Sequence, residues 1–512
     1  MIEFELKFQV DPGQREAVEV AVARGHSQRQ RLRARYFDTA DGALAAAHVV
    51  LRLRKEGPRW VQTAKASGSS PLERLEHNVE LGPVRGAEVP RPEISRHDST
   101  PVGERIAAAL KAAGRDPAAE LVPLYATEVW RTTREMRSGD AWVELAYDSG
   151  SVRAGERAHP LCELEFELKR GSAAAMLELA RRWCGRYGLW LDTVSKSERG
   201  QRLARGEQHG APVKALAPEF GAHADGAQIF RAVLHACLLQ MLPNASEIAA
   251  GSRDAEHLHQ LRVGIRRLRT ALREMAGLGP AIDPGWEPAL VEAFRALGRQ
   301  RDREHLQQTL MPQIEAAGGP AFQLQDADGE ADPSMVVRAP AFQRVLIELI
   351  GASLPPVPGL PAEPADDAQA AEAAAVETAP KPPAAAHKLL RARLSKLHRQ
   401  VLREGARFES LDAAGQHRVR KRLKRLRYLS EFVAPLFGRK AAKRFLAALE
   451  PAQDALGAHN DRAVAMAASR ERAPEDGRAW FAVGWLGARQ PASAAACREA
   501  LKKMAAAEPF WK

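Results

Sequence analysis

The first residues of the chain alternate between apolar and charged side chains, and this alternation constrains the fold more than any other feature. The alternating run is Ile2, Glu3, Phe4, Glu5, Leu6, Lys7 and Phe8. Because successive side chains of a strand point to opposite faces, the run predicts a strand with one apolar face and one charged face. Residues 162–169 repeat the pattern with glutamates on the charged face, and residues 51–54 repeat it with arginines.

Strands that present acids, together with strands that present bases, predict a sheet closed around a charged interior. Acids in such an interior can hold a divalent cation, and bases can hold phosphates. Two competing interpretations stay open at this point. A single Glu-x-Glu strand is typical of a solvated sheet face, and ion pairs between acidic and basic strands would produce the same alternation without catalysis.

Further motifs between residues 1 and 205 carry a family resemblance. In chain order they are the Glu-x-Glu-x-Lys motif of residues 3–7, the segments 36–39 and 51–54, Lys65, the segments 74–76 and 163–165, and the pair Ser195 and Lys196. With these motifs the segment resembles the CYTH superfamily, the triphosphate-tunnel metalloenzymes. The resemblance implies an N-terminal antiparallel β-barrel or tunnel with flanking helices. It is closest to bacterial CYTH–CHAD proteins that act as inorganic triphosphatases.

The same resemblance implies roles for individual residues. Glu163 and Glu165 would bind the metal, Mg²⁺ or Mn²⁺, and Asp148 would join them. A further acid would come from Glu76 or from Glu80, and the motifs do not choose between the two. The residues implied in catalysis and phosphate binding are the bases Lys7, Arg52, Arg54, Lys65, Arg131 and Lys196 and the acids Glu3 and Glu5, either of which is a further candidate metal ligand. The attacking group would be a water activated by the metal or by a nearby carboxylate.

The character of the chain changes after residue 205. Residues 206–225 are rich in Gly, Ala, Pro and His and predict a linker, whereas residues 226–510 have the composition and periodicity of an all-α domain. Within that domain, residues 354–386 are rich in proline and alanine, which predicts a flexible segment without a core. Before the linker, residues 173–187 predict a helix that Gly188 ends.

The helical domain contains one pattern twice, on either side of the flexible segment. Residues 259–269 and residues 417–427 both begin with a histidine that is followed by regularly spaced bases. Residues 297–302 and residues 456–461 both run from Leu-Gly to Asp, at nearly the same offset along the chain. Two motif pairs at one offset indicate an internal duplication. The duplicated pattern resembles the CHAD domain, a family in which basic helices bind inorganic polyphosphate.

Each repeat carries bases on one narrow face of a helix, beside an apolar stripe that would pack into a bundle. These faces consist of His259, Arg262, Arg266, Arg269 and Arg273 in the first repeat, about 226–353, and of His417, Arg420, Lys424 and Arg427 in the second, about 387–510. Aligned cations repel one another, so an anion or acids on a neighbouring helix must compensate them. The faces lack interleaved aromatic residues and any base-reading motif, which argues against nucleic acid as the partner. A solvated basic face is the other alternative.

Composition limits the function classes that remain. The 512 residues include 75 Lys and Arg against 64 Asp and Glu, and the net charge of +11 favours anionic partners. The four cysteines are scattered and no P-loop motif is present, so we expect neither a zinc site, nor a disulfide framework, nor a P-loop nucleotidase. The first residues do not resemble a signal peptide and no apolar run is long enough to cross a membrane, so we expect a cytoplasmic protein without membrane contact.

The sequence therefore predicts an α+β multidomain enzyme, with an antiparallel β-tunnel of residues 1–205 followed by a duplicated all-α helical bundle. We expect metal-dependent hydrolysis of inorganic triphosphate to pyrophosphate and phosphate, and binding of polyphosphate by the helical module. Two alternatives stay open. One is another activity of the CYTH superfamily, namely class IV adenylate cyclase, thiamine-triphosphatase or nucleoside-triphosphatase. The other is a polyphosphate-binding scaffold without catalysis.

Overall fold

The computed structural model forms two compact units. Its described residues are 2–67, 73–83, 89–116, 120–323, 332–355 and 381–512. The first unit comprises Met1–Val213, Leu242–Arg253 and Val337–Gly351, and the second comprises Lys214–Met241, Asp254–Val336 and Ala352–Lys512. The first unit's long segment ends at Val213 and the second unit begins at Lys214, and both positions lie inside the predicted linker. Two short segments of the predicted helical domain belong to the first unit.

One antiparallel sheet forms the body of the first unit. Among the described residues its strands are β1 (Ile2–Gln9), β2 (Ser27–Asp38), β3 (Val49–Glu56), β4 (Arg59–Ser67), β5 (Glu73–Pro83), β6 (Val122–Ser138), β7 (Ala141–Ala154), β8 (Arg157–Arg170) and β9 (Trp190–Leu191). The strand order is β5-β4-β3-β2-β6-β7-β8-β1-β9, and β5 pairs again with β1. That last pairing closes β1 to β8 into a ring, which confirms the predicted antiparallel tunnel.

Apolar side chains on the outer face of this ring pack against helices. Phe8 on β1 and Phe166 on β8 have ring centroids 5.5 Å apart, and Phe166 lies 6.0 Å from Trp183, which belongs to a covering helix. On β3, Leu51 and Leu53 are fully buried. Because neighbouring residues of a strand point to opposite faces, the charged residues between these apolar ones face the interior of the ring.

Helices surround the ring and build the second unit. Those that the structure describes are α1 (Arg15–Val22), α2 (Ala43–Ala46), α3 (Pro101–Ala112), α4 (Ala173–Tyr187), α5 (Lys196–Arg205), α6 (Gly226–Ala249), α7 (Ala255–Glu274), α8 (Trp286–Ala316), α9 (Pro333–Arg338), α10 (Pro340–Ser353), α11 (Pro383–Gly405), α12 (Ala413–Val433), α13 (Arg439–Arg472) and α14 (Ala479–Ala505). Short 3₁₀ turns lie at Pro12–Gln14, Ile94–His97, Phe408–Ser410 and Ala434–Leu436. Helix α4 has the predicted bounds, and Gly188 ends it with a left-handed φ of 60°.

The second unit is an all-α bundle, as predicted, in which the repeated helices α7 and α12 pack against each other. The apolar stripes that the sequence predicts are fully buried, at Leu261, Ile265 and Leu268 on α7 and at Val419, Leu423 and Leu426 on α12. Helix α11 begins at Pro383, inside the predicted flexible segment 354–386, because proline is favoured in the first turn of a helix. Residues 356–380 of that segment lie outside the described residues.

Two sequence expectations concern the whole chain. All four cysteines are free and buried. In the part of the chain that the structure describes, no helix combines the length and the apolar character that a membrane span requires. The cytoplasmic location stays a prediction.

Candidate active site

Three acids meet inside the ring, on the neighbouring strands β7 and β8. Asp148 lies opposite Glu163 in the register of the two strands, and Glu165 follows on the same face of β8. One carboxylate oxygen of each residue lies within 4.8 Å of those of the other two. Asp148 and Glu163 are completely buried. The structure thus brings together three of the acids that the sequence predicts as metal ligands.

Two predicted bases neutralise these acids. Arg131, which lies opposite Asp148 on β6, donates hydrogen bonds of 2.7 and 2.6 Å to its two carboxylate oxygens and one of 2.5 Å to Glu165. The Lys196 ammonium lies 2.7 Å from Asp148, 2.7 Å from Glu165 and in direct ion contact with Glu163. Lys196 is the first residue of α5, a helix start that is fixed because the Ser195 side chain accepts a hydrogen bond from a backbone N–H of the first turn.

The electrostatics keep Glu165 and Asp148 ionised. Burial would raise the pKa of Glu165, but Lys196 and Arg131 hold it well below its usual range. For Asp148, burial again opposes ionisation, and Arg131 and Lys196 again lower the pKa. Carboxylates that stay charged in a buried site are the oxygen ligands that hard divalent cations prefer.

The three carboxylates together fit a divalent cation. One oxygen of each lies within 4.8 Å of those of the other two, and carboxylate oxygens are the ligands that such cations prefer. The Lys196 ammonium is in ion contact with Oε1 of Glu163, so a bound cation would share this oxygen with the ammonium or displace it. Asp148, Glu163 and Glu165 could therefore hold a divalent cation together.

Lys7 extends the site towards a loop for which the sequence gives no motif. Its ammonium lies 3.9 Å from Glu163, 3.9 Å from Asp192, and donates to the carbonyl oxygen of Val194. Gln9 donates at 2.7 Å to Asp192, and Arg199 forms an ion pair with the same carboxylate. Burial opposes the ionisation of Asp192, yet Lys7 and Arg199 lower its pKa. We call Asp148, Glu163, Glu165, Asp192, Lys7, Arg131, Lys196 and Arg199 the acid–base cluster.

A second group of predicted residues lies on β3, β4 and β5. Lys65 forms an ion pair with Glu76, and Arg54 forms one with Glu56. Burial and the neighbouring Arg52 lower the pKa of Arg54 to about 10. Burial acts against the ionisation of Glu76, but Lys65 and Arg52 hold its pKa at about 2. These residues form a predominantly basic site, as phosphate binding requires.

One acid of this group, Glu76, lies apart from the three acids on β7 and β8, and its role as a metal ligand stays a prediction. Glu76 is paired with Lys65 and does not belong to the three carboxylates that lie within 4.8 Å of one another. The reason is its register on β5, opposite Lys65 of β4 rather than beside β7 or β8. Of the two acids left open by the sequence, Glu76 is the buried one, since Glu80 is exposed and lies 3.6 Å from Arg59.

The remaining predicted residues of this unit lie on β1. Glu5 is half-buried, takes part in polar contacts, and lies opposite Glu167 of β8. Glu3 lies opposite Arg74 of β5, and its side chain is outside the described part of the structure. Their candidate roles stay predictions.

Four of the predicted bases in the helical unit converge from both repeats. Burial is the main reason that the pKa of Lys424 falls to about 6, and the positive charges of Arg266, Arg420 and Arg262 lower it further, against the opposing effect of Asp461. Arg262 and Arg266 also lie 5.0 and 5.4 Å from the ring centroid of Phe294 on α8. We call Arg262, Arg266, Arg420 and Lys424 the basic cluster.

The other predicted bases of the helical faces have partners elsewhere. Arg269 donates to Glu287 at 2.9 Å, Arg427 donates to Glu431 at 2.7 Å, and Arg273 lies 3.8 Å from Glu274. Of the two histidines, His417 contacts Asn460 at 3.2 Å, and His259 takes part in polar contacts. Arg420 of the basic cluster also lies 4.0 Å from Asp461, so acids neighbour arginines both inside and outside that cluster, and the continuous basic face stays a prediction.

Comparison with known proteins finds a matching domain model in each half of the chain. Residues 1–200 match a model of the CYTH domain, and residues 232–470 match a model of the CHAD domain. An inorganic triphosphatase of Haemophilus influenzae is 28% identical to this chain over 171 residues, which are 33% of this chain and 44% of that relative. The match therefore spans less than half of the relative's own length.

Two solved structures are also similar. The CHAD domain from the plant Ricinus communis is 28% identical, with a TM-score of 0.45, and the match covers 57% of this chain and 96% of that one. A Hippeastrum protein, named as an adenylyl cyclase and described as having a dominant triphosphatase activity, is 18% identical with a TM-score of 0.28. That match covers 40% of this chain and 96% of the Hippeastrum chain.

Proposed function

This chain carries a CYTH domain followed by a CHAD domain, and we propose that it hydrolyses inorganic triphosphate to pyrophosphate and phosphate with the help of Mg²⁺ or Mn²⁺. The observation that supports this proposal most is the buried acid–base cluster inside the ring. A site that only bound an anion would have little use for Asp148, Glu163 and Glu165, because their charges repel phosphate. The same carboxylates are useful when a divalent cation lies between them and the substrate.

The chain's own residues divide the work of such a reaction. Asp148, Glu163 and Glu165 would hold the cation, which neutralises phosphate oxygens and lowers the pKa of a bound water. Arg131 and Lys196 orient these carboxylates through the hydrogen bonds and ion pairs described above. The basic group of Arg52, Arg54 and Lys65 would bind the phosphates further along the interior. Charge neutralisation and positioning are the main requirements of phosphoryl transfer, so no side-chain nucleophile is needed.

The choice of substrate rests on chemistry and on one relative. Inorganic triphosphate consists only of phosphate groups, which matches an interior lined by acids and bases. The similar Haemophilus influenzae protein is an inorganic triphosphatase. Adenylate cyclase, thiamine-triphosphatase and nucleoside-triphosphatase activities would require a pocket for an organic group in addition.

Phosphate release from the full chain tests this proposal. Triphosphate, ATP, thiamine triphosphate and long-chain polyphosphate are compared at equal concentration, with Mg²⁺, with Mn²⁺ and with a chelator. We expect metal-dependent turnover that is highest with triphosphate. Higher turnover of ATP or thiamine triphosphate would show that this compound, and not inorganic triphosphate, is the preferred substrate. Formation of cyclic AMP from ATP would identify a cyclase. If no compound is turned over with either metal, the remaining interpretation is a polyphosphate-binding scaffold without catalysis.

We also propose that the CHAD domain binds polyphosphate at the basic cluster. The positive charges of Arg262, Arg266 and Arg420 lower the pKa of Lys424, and a chain of phosphates between the four residues would compensate these charges. Binding to the full chain is measured by titration at about 50 and about 200 mM salt, because each neutralised phosphate releases counterions and makes binding salt-dependent. Nucleic acid at equal phosphate concentration serves as the competitor.

A matched pair of variants separates this site from the rest of the basic surface. The double substitution Arg266→Glu and Lys424→Glu introduces two negative charges into the basic cluster. The double substitution Arg269→Glu and Arg427→Glu reverses two charges on the same helices, at arginines that pair with acids. We expect the first variant to lose polyphosphate binding and the second to keep most of it. Equal affinity in both variants would refute the site.

A further inference from the structure

The loop that joins β9 to α5 is held by side chains from two short helical segments. The backbone N–H of Leu191 donates to Oε1 of Gln343 at 2.8 Å, and the backbone N–H of Thr193 donates to Oγ of Ser246 at 3.0 Å. Ser246 lies in the segment Leu242–Arg253 and Gln343 in the segment Val337–Gly351, both of which belong to the first compact unit. Both segments also fall within the part of the chain that matches the CHAD domain, residues 232–470.

The same loop reaches the acid–base cluster on its other side. Between the two residues that the helical segments hold, the backbone N–H of Asp192 donates to the carbonyl oxygen of Lys7 at 2.9 Å. The Lys7 ammonium donates back to the carbonyl oxygen of Val194, so the loop binds Lys7 at both its backbone and its side chain. The Asp192 carboxylate accepts from Gln9 and pairs with Arg199. A displacement of this loop would therefore move Lys7 and Asp192 together.

The two supporting side chains are themselves fixed. Gln343 is 1% exposed, and its amide nitrogen donates to the carbonyl oxygen of Val337 at 2.6 Å. Ser246 is 3% exposed, and its hydroxyl donates to the carbonyl oxygen of Leu242 at 3.0 Å. Because each donor is already used within its own segment, the remaining oxygen of each side chain is oriented towards the loop. Backbone N–H groups buried in this way require such acceptors.

The geometry points to Ser246 and Gln343 as positioning residues for the tunnel site, which act on Lys7 and Asp192 through residues 191–194. This inference deepens the proposed function, on which it rests. It means that the CYTH tunnel is completed by residues from the part of the chain that matches the CHAD domain. Catalytic geometry is sensitive to displacements of about 1 Å even when their origin lies away from the reacting atoms.

Conservative substitutions in the full chain test the inference. Ser246→Ala and Gln343→Leu remove the acceptors, whereas Ser246→Thr keeps an oxygen in the same place. We expect kcat for triphosphate to fall about tenfold in Ser246→Ala and in Gln343→Leu, and to recover to within about threefold in Ser246→Thr. Gln240→Leu is the matched control, since Gln240 is a fully buried amide of α6 that bonds to Gln260 in the second unit. It should lower the melting temperature as much as Gln343→Leu does while leaving kcat unchanged.

Hydrogen exchange gives a second readout that does not depend on turnover. In the unmodified chain the amides of Leu191 and Thr193 should exchange slowly, and Ser246→Ala should accelerate the exchange of Thr193 specifically. Ser246→Cys, whose sulfur is a weak acceptor of similar size, serves if the alanine variant does not fold. If the unmodified chain is active and the Ser246 and Gln343 variants behave like Gln240→Leu, the inference is wrong and the proposed function stands. If the unmodified chain hydrolyses no triphosphate, the proposed function fails and the inference falls with it.

Discussion

Replacing Glu163 by glutamine perturbs the acid–base cluster at one of its two completely buried carboxylates. The substitution keeps the shape of the side chain and removes one negative charge. Glu163 is completely buried, contacts the Lys196 ammonium, and lies 3.9 Å from the Lys7 ammonium. In the variant both ammonium groups lose an ionised neighbour, and a divalent cation loses one of its three carboxylates.

The structure sets the size of two expected effects. Loss of one partner from a fully buried ion pair costs about 3–5 kcal/mol. Lys196 keeps Asp148 and Glu165, each at 2.7 Å, so we expect a smaller loss in the free energy of unfolding, about 1–3 kcal/mol. For catalysis, the loss of one strong electrostatic interaction with the transition state lowers kcat by at least about 100-fold. The catalytic effect should therefore exceed what partial unfolding explains.

Phosphate release and calorimetric titration with Mn²⁺ measure both consequences. Glu167→Gln is the matched control, because Glu167 lies on the same face of β8 and pairs with Lys169, which is partly exposed. We expect the control to keep turnover within about twofold and to bind Mn²⁺ as the unmodified chain does. Full turnover in Glu163→Gln, or equal losses in the two variants, would refute the assignment of the cation site.

Three other predictions concern Arg54, Glu76 and Lys424. Arg54→Ala should raise KM and lower kcat for triphosphate, since its guanidinium would contact both ground and transition states, whereas the exposed Arg59→Ala should change neither. The pKa of Glu76, about 2 against an ordinary 4.5, means that its ionisation stabilises the fold above about pH 4.5 and that this contribution is lost as the pH falls towards 2. Glu76→Gln should therefore flatten the decline in the free energy of unfolding, measured with urea, between about pH 5 and 3. Because the pKa of Lys424 is about 6, polyphosphate should bind with proton uptake near pH 7.5, which calorimetry in buffers of different ionisation enthalpy detects and Lys424→Met abolishes.

The sequence predicts the tunnel well because strand alternation is a local property. Each apolar residue on the outer face implies a charged neighbour on the inner face, so Glu163, Glu165 and Arg52 could be assigned to the interior from their own segments. The convergence of β6, β7 and β8 could not be read in this way. Arg131 and Asp148 were predicted only by resemblance, and their alignment opposite each other depends on strand register.

Asp192 shows where sequence reasoning ends. It lies in a loop without periodicity, and no pattern distinguishes it from a surface aspartate. Its proximity to Ser195 and Lys196 was the only available signal. Its role depends on Lys7 and Arg199, which form ion pairs with it. Lys7 lies on β1, far away in the sequence, and Arg199 lies on α5, the helix that follows the loop. The basic cluster also depends on tertiary contacts. The helical periodicity predicts two basic faces, but it does not predict which of their arginines lie beside acids of other segments.

The charges of the two sites suggest how one chain would handle phosphate anions in two ways. Within the described residues, the acid–base cluster contains four acids and four bases, so it is balanced before any ligand binds. A divalent cation makes this cluster positive, and an anionic substrate then restores the balance. The basic cluster has an excess of bases, and the pKa of Lys424 is lowered mainly by burial and further by the positive charges of its neighbours. Under the proposed function, the first site would therefore couple its affinity for substrate to the metal, whereas the second would bind phosphates without one. Removing the metal should abolish turnover and leave polyphosphate binding unchanged, and a joint loss of both would contradict this division.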